Sequence, residues 1–107
     1  MIQINKQLQR PDKGTLSAGS IIDFTTIFPT GTLSVRYNLT HWFNQLAKDE
    51  DGWLPVAEIT NFSYILIKEC TIAEYDKLND AGSADLVQLW LKELIDSKIG
   101  AGNTEIV

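Results

Sequence analysis

Along the N-terminal two-thirds of the chain, apolar and polar residues mostly alternate, the pattern of strands with one face buried. Ile2, Ile4 and Leu8 fall on one parity, with Gln3, Asn5, Gln7 and Gln9 on the other. Pro11-Asp12-Lys13-Gly14 reads as a turn. Residues 20–28 are rich in β-branched and aromatic side chains (Ile21, Ile22, Phe24, Thr25, Thr26, Ile27, Phe28), which predicts a strand with apolar positions on both faces. Pro29-Thr30-Gly31 closes a turn into a third strand, where Leu33, Val35, Tyr37 and Leu39 alternate with Ser34, Arg36, Asn38 and Thr40.

Residues 40–49 satisfy two periods at once. Leu39, Trp42, Phe43, Leu46 and Ala47 fit one face of a helix, while the preceding alternation and the β-formers Thr40, Trp42 and Phe43 favour continuing the strand to about Phe43. Lys48-Asp49-Glu50-Asp51-Gly52 reads as a solvated turn. Residues 53–59 are expected to return as a partner strand, placed at an edge by Pro55. A last strand is expected over 62–70, with Tyr64, Leu66 and Cys70 opposite Ile65 and Ile67.

The period changes near Thr71. Thr71-Ile72-Ala73-Glu74 matches a capping box, in which side chain and backbone of the two end residues satisfy each other, so a short helix should run to about Leu78. Asn79-Asp80-Ala81-Gly82 breaks it. Ser83 is expected to cap a second helix, with Asp85 in its first turn and Gly100 at its stop. Its apolar residues exceed what packing on one sheet requires: Val87, Trp90, Leu91, Leu94 and Ile95 would cover the sheet, leaving Leu86 and Leu89 toward a neighbour. Strands first and helices last predict an α+β fold, a mostly antiparallel sheet with a C-terminal helical pair packed on it. The expected organisation is one domain over 1–107, strand-rich to 70, helical over 71–100, ending in an ordered tail over 101–107.

Composition narrows the function classes. The chain has 107 residues, 44% hydrophobic and 21% charged, which suits one domain with one modest core. Its net charge of −5, with nine scattered Lys and Arg, argues against a nucleic-acid backbone or an anionic membrane as partner. The single cysteine, Cys70, permits no intrachain disulfide. The first residues resemble no secretory or transit peptide, and no apolar run approaches a membrane span, so a cytoplasmic protein is expected.

Candidate chemistry is sparse. Residues 47–58 place Asp49, Asp51, Gly52 and Glu58 at the third, fifth, sixth and twelfth positions of an EF-hand-like loop, but Ala47 stands where the first carboxylate is needed, so a plain acidic turn is expected. His41 is the only histidine, too few for a His/Cys zinc site, and any Ser-His or Cys-His set would have to use it. No glycine-rich phosphate loop is present. No catalytic residue, metal or cofactor is therefore expected. Trp42, Trp53 and Trp90 are many for so short a chain and fit either a core or an interface. Thr104-Glu105-Ile106-Val107 ends apolar, as PDZ ligands do, though such a tail more often adds to a sheet edge or docks on a neighbouring subunit. Leu86, Leu89, Ile106 and Val107 are the interface candidates.

Four stretches, 19–24 (GSIIDF), 35–40 (VRYNLT), 67–76 (IKECTIAEYD) and 94–100 (LIDSKIG), give the chain a resemblance to small structural proteins of tailed bacteriophages and related prophages. The resemblance implies a non-enzymatic virion or assembly subunit, in head, neck or tail, acting through repeated protein–protein contacts as a homo-oligomer or within a larger assembly. It carries over no functional residue. The alternatives are a monomeric adaptor for one cellular protein and a small enzyme with a carboxylate site of unfamiliar spacing.

Overall fold

The computed structural model describes residues 1–11, 14–50 and 54–107. Among the described residues, seven strands and three helices follow in the order β1 (Ile2–Ile4), β2 (Leu8–Arg10), β3 (Gly14–Leu16), β4 (Ser20–Ile27), β5 (Ser34–Trp42), α1 (Gln45–Asp49), β6 (Ile65–Glu69), α2 (Ile72–Asp76), α3 (Ser83–Ile99) and β7 (Thr104–Ile106). A short 3-10 turn, Lys77–Asn79, continues α2. The fold is α+β. Five strands form one antiparallel sheet in the order β6-β5-β4-β1-β7, and β2 and β3 form a separate hairpin.

Register assigns every strand residue to a face. Ile2 lies opposite both Ile22 and Ile106, Ile22 opposite His41, Phe24 opposite Leu39, and Tyr37 opposite Leu66. This inner face carries the core. Ile2, Ile4, Ile22, Val35, Tyr37, Leu39 and Leu66 are buried with Val87, Trp90, Leu91, Ile95 and Ile99 of α3. The Tyr37 hydroxyl donates to the Val87 carbonyl at 2.6 Å, a buried bond that fixes the helix over the sheet. Desolvation pushes the Tyr37 pKa well above the usual phenol range.

The tail is ordered by its own subunit. Lys6 Nζ donates to the carbonyl of Ile99 at the helix C-terminus, where a cation is favoured. Gly100 turns the chain at φ 100, and Asn103 Nδ2 donates to the carbonyls of Ile99 and Gly100. Thr104 Oγ1 donates to Asp96, which also takes Lys92 at 2.8 Å. β7 then pairs with β1, so the apolar tail extends this chain's own sheet.

Several elements differ from the sequence expectation. The first strand divides: β1 ends at Ile4 and β2 leaves the main sheet to pair with β3. The 40–49 ambiguity resolves into both elements, strand to Trp42 and helix from Gln45, with Asn44 capping through Ala47 N. No strand forms over 54–59. That segment makes one backbone bond to the sheet, Val56 N to His41 O at 2.7 Å, and Pro55 has no amide to give; Trp53 lies outside the described residues. The capping box of α2 is present in both halves, but Ser83 does not cap α3. Gly82, at φ 84, occupies the N-cap, and Ser83 already has helical geometry. A hydroxyl one residue inside the helix no longer faces the open amides of the first turn.

Candidate interaction surfaces

The outer face of the sheet is covered unevenly. At one end α1 lies on β4 and β5, with Ile21 and Ala47 buried and Lys48 4.0 Å from Asp23. At the other end nothing among the described residues covers it. One cross-strand row there reads Ile27, Arg36, Ile67, and Ile65 lies on the same face next along β6. Ile65 is 46% exposed and Ile67 54% exposed. Phe28 and Leu33, on the adjoining loop, are also exposed. Arg36 Nε is buried without a hydrogen-bond partner among the described residues.

β6 is also a sheet edge, and its hydrogen-bond parity is settled by its flanks. Leu39 N donates to Tyr64 O and Cys70 N to Leu33 O, both at 2.8 Å. Tyr64, Leu66, Lys68 and Cys70 therefore turn their backbone toward β5. Ile65, Ile67 and Glu69 turn theirs away from the sheet. Ser63 Oγ accepts from Ile65 N at 3.2 Å, and the other outward groups have no partner among the described residues. Beneath this edge runs a groove of about 370 Å³ lined by Ile65, Leu66, Ile67, Leu94 and Lys98. The edge is charge-balanced, because Lys68 reaches Glu74 at 3.1 Å and also sits over the Trp90 ring.

The four expected interface residues are scattered. Leu86 is half-buried against the core, whereas Leu89 is 42% exposed. Ile106 and Val107 lie at the opposite edge of the sheet, half-exposed, with Val107 N donating to Met1 O. The tail is thus engaged in its own sheet and is not presented as an extended PDZ-type ligand. Leu94, placed in the core by its spacing, is half-buried at the groove beside β6. The cluster Ile27, Leu33, Ile65 and Ile67 was missed as a surface. Its signal was present, since strands carrying apolar residues on both parities need either two covered faces or a partner.

The structure also brings together Ser20 and His41, which sequence spacing did not. Ser20 Oγ and His41 Nε2 are 2.8 Å apart, on paired strands, and both residues are fully buried. His41 lies parallel to Phe62 and edge-on to Tyr64, and its Nδ1 has no partner among the described residues. Burial pushes its pKa down to about 4. A nucleophile–base pair needs a reachable hydroxyl, a base matched to working pH and a third group orienting the base. In this arrangement the hydroxyl is enclosed, the imidazole is a weak base, and no group among the described residues holds Nδ1. Cys70 is half-buried, its thiol pushed up first by desolvation and then by the Glu74 carboxylate, with Lys68 opposing.

Of the EF-hand-like loop, Ala47 is buried in α1, Glu58 and Leu54 are exposed, and Asp51 and Gly52 lie outside the described residues. Among the described residues no three His, Cys, Asp or Glu side chains converge on a metal position. No helix of the described residues is long and apolar enough to cross a membrane. The chain matches no protein-family model, no curated protein and no solved structure.

Proposed function

We propose that this protein is a non-enzymatic assembly subunit, working through protein–protein contacts along its sheet. The observation that carries the reading is the bare end of the outer face, where exposed Ile27, Ile65 and Ile67 run up to an edge strand whose outward backbone groups, Ile65 N apart, have no partner among the described residues. Natural sheets blunt such edges with charge, proline or a covering element, because an open apolar edge is a template for another chain. Retaining it is consistent with an edge that is used. The resemblance to phage structural proteins gives the reading its more specific form, a virion component made in the cytoplasm of the producing cell. The test is the native mass of the protein isolated from its source, by gel filtration with light scattering. Recovery in a multi-subunit particle or complex supports the reading. Recovery from its source solely as a 12.0 kDa monomer would refute it.

A further inference from the structure

We infer that β6 pairs antiparallel with β6 of a second copy about a two-fold axis through Ile67, joining two five-stranded sheets into one. This rests on the assembly reading and names its partner and register.

Three observations lead to a second copy of this chain. The first is parity. Ile65, Ile67 and Glu69 present backbone donors and acceptors outward, so a partner strand must present the same alternate residues to meet them. β6 meets that demand itself. The second is charge in register. Setting Ile67 opposite Ile67 of the second copy faces Glu69 with Ile65 and Lys68 with Leu66, and pairs every residue of the strand. Sliding by one allowed step toward the C-terminus sets Lys68 against Lys68, and by two steps Glu69 against Glu69. Sliding the other way leaves Glu69 beyond the partner strand. The two-fold on Ile67 is thus the register with full pairing and no opposed like charges. The third is local charge balance on a chain of net charge −5. Copies of an acidic protein repel over most of their surface. At this edge Lys68 and Lys98 stand beside Glu69 and Glu74.

Such pairing continues the outer-face row as Ile27, Arg36, Ile67 and then Ile67, Arg36, Ile27 of the second copy. The Ile67–Ile67 pair and the two Ile65–Glu69 pairs fall at hydrogen-bonding positions, while Lys68 and Leu66 face each other without backbone bonds. The opposite edge, β7, is three residues long against five in β6, so an isologous β6 contact pairs more backbone than a head-to-tail one.

The test is sedimentation equilibrium of the purified full chain from about 1 to a few hundred µM, a range suited to an interface at the small end of the known sizes. The expected result is a rise from 12.0 kDa toward twice that mass. Ile67→Lys places two ammonium groups across the axis and should hold the protein monomeric. Ile67→Pro removes an outward amide that the subunit fold does not use, and should do the same with circular dichroism unchanged. Should either variant unfold, disulfide trapping of Ile67→Cys on a Cys70→Ser background decides the matter. Paired Cα atoms in this register lie within disulfide reach, so oxidation should give a covalent dimer, while Gln3→Cys on the same background should not. A wild-type chain monomeric throughout, a species larger than a dimer, a dimer that survives both Ile67 variants, or failure of the Ile67→Cys trap would each overturn the pairing. The assembly reading falls separately, on the native mass.

Discussion

The two faces of this sheet are built from the same strands and do opposite things. On the inner face Ile22, Tyr37, Leu39 and Leu66 are buried beneath α3. On the outer face Ile27, Ile65 and Ile67, one position along the same strands, are exposed. Side-chain chemistry does not separate them, because isoleucine stands on both. What separates them is cover. α3 spans the inner face, α1 shields one end of the outer face, and no described residue covers the other end. Hydrophobicity in a strand therefore shows that a face needs a partner, and only the packing shows whether the subunit supplies it.

The comparison breaks most visibly if core truncation is tolerated. Trp90→Ala removes a buried indole from between α3 and the sheet, and should cost about 3–5 kcal/mol by urea denaturation. A loss under about 1 kcal/mol would mean that the inner face is not what holds the subunit together.

Acid should act on the inner face next. His41 has a folded pKa of about 4 against 6.5 in an unfolded chain. Between those values the unfolded chain binds more protons, so stability falls as pH drops from 6.5 to 4 and this contribution levels off below. The loss is on the order of 3 kcal/mol. His41→Gln should flatten that part of the stability–pH curve; an unchanged slope would show that other groups dominate it.

A smaller effect is expected at the α2 entrance. Thr71→Ala removes the hydroxyl that accepts from Glu74 N at 3.1 Å, at a cost of about 1 kcal/mol. The Thr71 backbone amide that donates to Glu74 Oε1, the chief cause of that carboxyl's lowered pKa ahead of Lys68, is retained, so the loss reads the hydroxyl alone. Thermal melts of the variant compared with wild type measure it.

The smallest effect on subunit stability should come from the exposed apolar positions, Leu89 on the solvent side of α3 and Ile65 on the outer face of the sheet. Leu89→Lys and Ile65→Ser should each change monomer stability by less than about 0.5 kcal/mol. A loss of several kcal/mol at Ile65 would place the outer face in the fold and erase the contrast.

Much of the inner face was legible in the sequence. The alternation through Val35, Tyr37 and Leu39, the capping box at Thr71 and the stop at Gly100 are local signals that the structure keeps. What escaped depended on distant partners. Leu8 continues the parity of Ile2 and Ile4, yet leaves the sheet because Leu16 pairs with it in a hairpin. Residues 54–59 look extended, but β5 is already occupied by β6 along 34–38, and a single bond from Val56 is all they make there. The tail strand exists because β1 has a second free side. Ser20 and His41 meet only through β4–β5 register. The surface around Ile67 showed as excess apolar residues, while the choice between a buried and an open face lay in where α1 and α3 come to rest.

Amide hydrogen exchange along β6, followed by NMR, tests the central claim most directly, because alternate residues of one strand serve as each other's control. Leu66 and Lys68 face β5 inside the subunit, and Ile67 and Glu69 face outward. In concentrated wild-type protein all four amides should exchange slowly. In the Ile67→Lys variant the amides at 67 and 69 should become fast while those at 66 and 68 stay protected. Fast exchange at Ile67 and Glu69 in the wild type, or equal protection at all four positions in both proteins, would contradict the account.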